Sequence, residues 1–366
     1  MPRQNSIARF WARVSDGMAI GQLWDQLRRE SVSGYQLYAH EAAQRTPPAM
    51  SRRGRPRQRH LWREFLWAIV LKMSPARRIL LIAAIVLLIF GADYTLLGIL
   101  ILFGLLALEV ADRVGMKRDL EIAREIQLWL LPAQPPAIPG AEIAFTNLPA
   151  NTVSGDFYDA FPRLGRILFA VADVAGKGVP AAMLMATFQA SLHTLAFEPH
   201  ALEALIAALN RYASDASLGG TRFTTAFIGE FDPATRILRF CNAGHNPPLL
   251  RRGIAAPGDA GRIEKLESGG VPFGILSDAV HTCGETVLGP GDVLVVYSDG
   301  LTESFDQQGG DYGEDRLIAA LERACAALAD PCAAALLQAV VADCERFRGG
   351  VRQQDDLTCL VLRLLP

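Results

Sequence analysis

From Glu142 onward the chain alternates short apolar runs with turn residues. EIAFTNL, FYDAFP, ILFAVAD, TTAFIGEF, ILRFCNA, DVLVVYSD and LTCLVLRLL read as strands, several with apolar and polar positions alternating. Turns such as Asp232-Pro233 and Pro290-Gly291-Asp292 join them. Stretches with helical spacing interrupt them at 179–197, 201–216, 314–328 and 333–346. This order is neither regular strand–helix alternation nor an all-strand chain. It predicts an α+β fold, two antiparallel sheets with helices on the outside. Upstream, DRVGMKRDLEIAREIQLWLLP carries Val114, Ile122, Ile126 and Trp129 or Leu130 close to helical spacing, and Pro132 stops it. The pattern predicts an amphipathic linker helix over 111–131, which either packs on the domain that follows or pairs with a second copy of itself.

Before the linker, Ile79 to Val110 is almost wholly apolar, broken only by Gly91-Ala92-Asp93-Tyr94-Thr95. One unbroken helix of that length would reach about 45 Å, more than the roughly 30 Å of a hydrocarbon core. Arg77 and Arg78 precede the block, and Arg113, Lys117 and Arg118 follow it. Basic residues on both flanks predict a two-helix transmembrane hairpin with both ends in the cytoplasm and Asp93 near the outer turn. FLWAIVLKM at 65–73 is too short to span and is expected to lie in the interface. The expected organisation is a basic cytoplasmic region of unassigned role at 1–78, a transmembrane segment at 79–110, the linker at 111–131 and a catalytic domain at 132–366.

Charge sharpens this division. Residues 1–78 hold 15 Lys and Arg against 5 Asp and Glu, and residues 79–366 hold 21 against 33. Because the basic arm leads directly into the apolar block, it reads as a segment facing anionic lipid, and no nucleic-acid partner is expected. A hydrophobic content of 51% excludes a disordered chain. The cysteines Cys241, Cys283, Cys325, Cys332, Cys344 and Cys359 show no paired spacing, so they read as reduced core thiols of a cytoplasmic domain.

The chemistry is carried by aspartates at strand ends. SGDFYD at 154–159 and ADVAGKG at 172–178 flank a candidate hairpin whose two-residue loop is Leu164-Gly165. That loop places Asp156 directly across from Asp173, and two like charges facing each other on a sheet call for a cation. Asp299-Gly300 ends another apolar strand, and Asp355-Asp356 opens the last one. An all-oxygen set without clustered His or Cys suits Mg²⁺ or Mn²⁺. Asp159, three residues along the strand, points to the opposite face from Asp156. Gly176-Lys177-Gly178 lacks the spacing of a nucleotide-binding phosphate loop. His245, before Asn-Pro-Pro, reads as a structural turn histidine, with proton donation to a leaving oxygen as the alternative.

These features together resemble the stage II sporulation protein E type of serine phosphatase, within the protein phosphatase 2C superfamily. AREIQLWLLP, SGDFYD, ADVAGKGVPAAMLM, FTTAFIGEFDPATRILRFCNAGHNPPLL, GGVPFGIL, YSDGLTES and QQDDLTCLVL follow the family's order from about residue 121 to the C-terminus. Ser154 departs from the pattern, which usually has a glycine there. The resemblance implies an α-β-β-α sandwich holding two Mn²⁺ or Mg²⁺ ions. Asp156, Asp173, Asp299 and Asp355 would be the catalytic carboxylates and metal ligands, with Asp173 bridging. The Val174 carbonyl would add a ligand, and Asp356 is the alternative to Asp355. It further implies hydrolysis of phosphoserine or phosphothreonine by hydroxide activated between the cations. The expected substrate is a phosphorylated anti-sigma-factor antagonist, at the inner (cytoplasmic) membrane of a bacterium, and the linker would allow a homodimer. A non-catalytic scaffold binding the same partner is the alternative, and loss of a carboxylate would be its mark. A nucleotide cyclase, suggested by SGDF, fails on the Tyr-Asp that follows.

Overall fold

A computed structural model describes residues 74–90, 92–198, 200–217, 222–253, 262–327 and 331–365. The basic segment up to residue 73, including FLWAIVLKM, lies outside the described residues. The chain divides into two units after Val114.

In the first unit, α1 (Pro75–Phe90) and the start of α2 (Thr95–Leu130) are joined by a single 3-10 turn at Ala92–Tyr94, which contains Asp93. The two helices fold back on each other. Arg77 at the start of α1 pairs with Asp112 at 2.7 Å and with Glu109 at 3.5 Å, and Gly98 lies close against the Ala84 carbonyl and the Leu88 side chain. Their outward faces are apolar, with Ile79, Leu96 and Phe103 each about two-thirds exposed at 68%, 70% and 68%. Helix α2 runs as one helix of 36 residues, so the linker stretch continues the apolar segment without a break in the backbone. No proline or glycine pair intervenes between Val110 and Leu130 to interrupt it.

In the second unit, two sheets stack face to face. One runs β1 (Ala141–Leu148), β11 (Leu357–Leu364), β10 (Val293–Tyr297), β6 (Leu249–Arg251), β7 (Ile263–Lys265). The other runs β2 (Phe157–Arg163), β3 (Arg166–Val174), β4 (Thr224–Asp232), β5 (Ile237–Ala243), β8 (Gly269–Gly270), with β9 (Gly284–Val287) also on β5. All pairings are antiparallel except the two-residue β5–β8 contact. Helices α3 (Val179–Ala196) and α4 (Leu202–Ala216) cover the second sheet, α5 (Asp299–Thr302) is a single turn after β10, and α6 (Gly313–Ala327) and α7 (Ala333–Arg348) cover the first. The result is the α-β-β-α sandwich.

Strand alternation builds the three apolar layers. In β3, Phe169 and Val171 point between the sheets, while Leu168, Ala170 and Ala172 point to α3 and α4. The four short strands β6 to β9 were not foreseen, since two to four residues are too few to show a period. The β2–β3 turn has the conformation its register requires. Leu164 and Gly165 both have positive φ, 50° and 79°, the signature of a tight hairpin whose twist matches its strands. Phe157 therefore pairs with Ala172 and Arg163 with Arg166. Continued by one residue, that register sets Asp156 opposite Asp173.

Candidate metal and phosphatase site

Four strand ends meet at one edge of the sandwich. Asp156 enters β2 and Asp173 nearly ends β3, so antiparallel pairing brings them to the same end of one sheet. Asp299 follows β10 and Asp355 precedes β11, which does the same in the other sheet. By alternation Asp156 and Asp173 share the inner face with Tyr158, Phe169 and Val171, so the carboxylates gather between the sheets. Asp159 has the opposite parity. It is buried against α3, where it accepts hydrogen bonds from Gln189 at 2.9 Å and pairs with His193 Nε2 at 2.7 Å, and it takes no part in the acidic group.

Burial makes this group electrostatically expensive. Asp156 is 2% exposed, and its Oδ2 has no hydrogen-bond partner among the described residues. Its carboxyl is held well above the usual carboxylate range, first by burial and then by the charge of Asp173, while the Ser298 and Thr358 hydroxyls act against this. Asp173 is likewise raised by burial and by Asp355 and Asp356, and it lies within hydrogen-bonding reach of Asp156. Asp299 is pushed up to about 6 by burial, Asp173 and Asp355. As the side chains stand, no three Asp, Glu, His or Cys groups among the described residues converge tightly enough to grip an ion. The chemistry still fits a hard cation. Desolvated carboxylates that raise one another's pKa, with an oxygen left unpaired, are the environment a divalent ion would relieve.

The neighbouring aspartates Asp355 and Asp356 have different surroundings. Asp356 accepts from the backbone N–H of Ala150 and of Gly155, each at 2.7 Å, and from the Ser154 hydroxyl at 2.9 Å. Those bonds consume both its oxygens in holding the loop before Asp156. Asp355 Oδ2 instead meets the Lys177 ammonium at 2.7 Å, a cation that a competing ion could displace. Ser154, which departs from the family pattern, is therefore a working part of the loop, since its hydroxyl also accepts from the Asp156 N–H at 3.1 Å. Gly155 sits where a Cβ would lie 3.2 Å from the Val174 carbonyl oxygen and 3.3 Å from the Ala181 Cβ, so the loop can pass this carbonyl closely only without a side chain.

Three further residues were not read from the sequence. Gln127 of α2 is buried, and its side chain forms two hydrogen bonds with the Ser154 backbone. Ser298 and Thr358 flank Asp156 and are cross-linked by their own hydrogen bonds. Their signal was a hydroxyl one position before Asp299 and two after Asp356, which is visible only once the sheet order is known. His245 is fully enclosed and neutral. Burial lowers it to about 4, its Nδ1 meets the Thr225 hydroxyl at 3.1 Å, and its Nε2 nears the Tyr297 backbone without a well-formed hydrogen bond. Thr225 pairs with Asp173 across the sheet. This places His245 behind the acidic group as a support, and its burial does not suit a proton donor to substrate.

Residues 164–365 match the family model described as stage II sporulation protein E. The chain belongs to the stage II sporulation protein E family. Among curated proteins, this family member is similar to Protein IcfG of Synechocystis sp., 29% identical over 59% of this chain and 37% of that protein. It is also similar to the phosphoserine phosphatase RsbU of Bacillus subtilis, 28% identical over 53% of this chain and 56% of that protein. The chain thus matches well under two-thirds of the length of either relative. Among solved structures it resembles the SiaA-PP2C domain of Pseudomonas aeruginosa, with a TM-score of 0.57 and 22% identity over 69% of this chain and 99% of that one. That likeness carries the fold, and the site geometry described above is this family member's own.

Proposed function

We propose that the chain is a metal-dependent protein phosphatase, tethered to the inner (cytoplasmic) membrane, that removes phosphate from phosphoserine or phosphothreonine of a regulatory protein of the anti-sigma-factor-antagonist type. The observation that carries this reading is the arrival of Asp156, Asp173, Asp299 and Asp355 at neighbouring strand ends of both sheets, with Asp156 buried and one of its oxygens unpaired among the described residues. Similarity to a phosphoserine phosphatase supports the choice of bond.

Asp156, Asp173, Asp299, Asp355 and the Val174 carbonyl would hold two Mn²⁺ or Mg²⁺ ions. When bound, such ions supply Lewis-acid activation of water and neutralise charge developing on the phosphoryl oxygens. The protein's own residues do the rest. Asp356, Ser154 and Gln127 fix the loop that aims Asp156, and the Ser298 and Thr358 hydroxyls orient its carboxyl. Thr225 and the neutral His245 brace the strand behind Asp173. Lys177, released from Asp355, is free to meet the anionic substrate at the rim. No protein nucleophile is needed. Among the described cysteines, those raised by burial are poorly suited to the role.

Two features support the membrane and partner readings. Thr95–Leu130 is long and apolar enough to cross a bilayer, and α1 folds back along it with an apolar exterior. Within the second unit, the stripe Ile122, Ile126 and Trp129 lies outward on α2 rather than against the sheets, with Trp129 83% exposed. Of the two roles open to that stripe, pairing with a second copy is therefore favoured.

The test is to incubate the full chain, in detergent, with a serine-phosphorylated anti-sigma-factor antagonist and Mn²⁺, following the phosphoserine by mass. Stoichiometric loss of phosphate, stopped by chelator, is expected. Stable binding of the phosphoprotein with its phosphate retained would instead identify a scaffold.

A further inference from the structure

Cys241 and Cys283 are 42 residues apart in sequence yet face each other across the β5–β9 pair. Ile237 pairs with Val287 and Phe240 with Gly284, so the same register continued by one residue brings Cys241 opposite Cys283. The type of position matters. The Leu288 N–H donates to the Arg236 carbonyl, which makes that pair a hydrogen-bonded one. Cys241 and Cys283 are the first residues past the last pair of the ladder, in the alternation position of a non-hydrogen-bonded pair, and just beyond them the Asn242 and Thr282 N–H groups turn to the Ser268 and Gly269 carbonyls. Disulfides need Cα separations of about 4.4–6.8 Å. Both side chains also point the same way, into the apolar layer under α3 and α4, with Cys241 buried and Cys283 half-buried at its edge.

The two thiols are near enough to act on each other's ionisation. Cys241 is pushed up by its neighbour Cys283 and by burial, and Cys283 is drawn down by Cys241 and by Arg239, with burial and Glu203 opposing. Burial raises Cys325, Cys344 and Cys359 instead. Cys283, half-buried at the edge, is the thiol an oxidant reaches first, and the buried Cys241 lies beneath it as the resolving partner.

We propose that Cys241 and Cys283 are a redox modification site that closes to a reversible cross-strand disulfide on exposure to a peroxide. The Cys283 thiolate attacks one peroxide oxygen, the O–O bond breaks, and hydroxide leaves, giving a sulfenic acid at Cys283. The Cys241 sulfur then attacks the Cys283 sulfur. The S–O bond breaks, and the departing hydroxide takes the Cys241 proton as water. The first hydroxide takes up the proton that Cys283 lost on ionising, so two thiols lose two electrons and two protons and one hydrogen peroxide becomes two waters. The bridge closes the excursion from Asn242 to Thr282, in which Phe273 exchanges two backbone hydrogen bonds with Thr224 at the start of β4. Thr224 is the cross-strand partner of Val174, so oxidation would stiffen the strand that borders the acidic site.

The test treats the reduced full chain with graded hydrogen peroxide, alkylates the remaining thiols and maps peptides by mass, using the exposed Cys332 as an internal gauge. A 241–283 cross-linked peptide lacking two hydrogens is expected. It should form at doses that leave most Cys332 unmodified, be restored to free thiols by dithiothreitol, and be absent from Cys283→Ser. Full alkylation of both Cys241 and Cys283 after Cys332 has been oxidised would overturn the proposal, as would either cysteine bridged to a different partner. The wild-type map alone decides this, so a poorly folding variant does not affect the outcome.

Discussion

Gln127 and Ser154 are joined by a pair of hydrogen bonds, from Gln127 Nε2 to the Ser154 carbonyl at 2.6 Å and from the Ser154 N–H to Gln127 Oε1 at 3.0 Å. A side-chain amide here satisfies both backbone groups of a buried residue two positions before Asp156. The C-terminal part of helix α2, read from sequence as a linker over 111–131, thereby fixes the loop that aims a candidate ligand. Gln127→Leu keeps the bulk and leaves both backbone groups unpaired. It should cost about 1 to 3 kcal/mol of stability in urea unfolding. Divalent-ion affinity should fall with it, about 10-fold or more by calorimetry, as for supports one step behind a ligand. Unchanged affinity would show that the loop holds its shape without the helix.

Asp355 and Asp356 should separate cleanly by mutation. Asp356→Ala removes the acceptor for two backbone N–H groups and a hydroxyl, so a stability loss of about 2 to 4 kcal/mol is expected. Asp355→Asn gives up one exposed-edge ion pair with Lys177 and should leave stability within about 1 kcal/mol. Its phosphatase activity should nonetheless drop more than about 100-fold. Denaturant curves beside initial rates check both, and the reverse assignment would make Asp356 the ligand.

The apposition of Asp156 and Asp173 predicts a sign that ordinary core mutations do not share. In metal-free protein, Asp173→Asn removes one of two facing carboxyls whose ionisation is held back by burial and by each other, and it should raise the thermal midpoint by a few degrees, on the order of 1 kcal/mol. Excess Mn²⁺ should stabilise the wild type by about 2.7 kcal/mol at a hundredfold excess over its dissociation constant. It should do little for the variant. Differential scanning calorimetry with and without metal reads both effects.

How far the sequence carried this reading depended on the range of the interaction. The Leu164-Gly165 loop was legible because a two-residue turn fixes register by counting, and the register placed Asp156 against Asp173. The large helices and strands were legible because each spans several periods. Gln127 was not, since its role depends on a loop 27 residues away, and the apolar residues beside it drew attention to a face that turns out to be exposed. Cys241 and Cys283 looked unpaired for a similar reason, because β9 is too short to show an alternating pattern and their opposition exists only in the folded sheet.

His245 should make the fold acid-sensitive. Its folded-state pKa is lowered to about 4 against an ordinary 6.5, so between those values the unfolded chain holds a proton that the folded chain refuses. Stability therefore rises with pH across that window and is lost as pH falls through it. Replacing the ring by His245→Asn should flatten the stability profile by up to about 1.4 kcal/mol per pH unit near pH 5. Urea midpoints from pH 4 to 7 for both proteins check it, and parallel profiles would mean that His245 does not titrate on unfolding.

The central claim is that the carboxylates gathered from both sheets hold divalent cations that hydrolyse a phosphate ester. The most direct measurement is hydrolysis of a small aryl phosphate by the full chain in detergent, with Mn²⁺ and with chelator, beside Asp173→Asn. The account predicts turnover that requires the metal and falls more than about 100-fold in the variant. Turnover that persists in chelator, or that Asp173→Asn retains at the wild-type level, would contradict it.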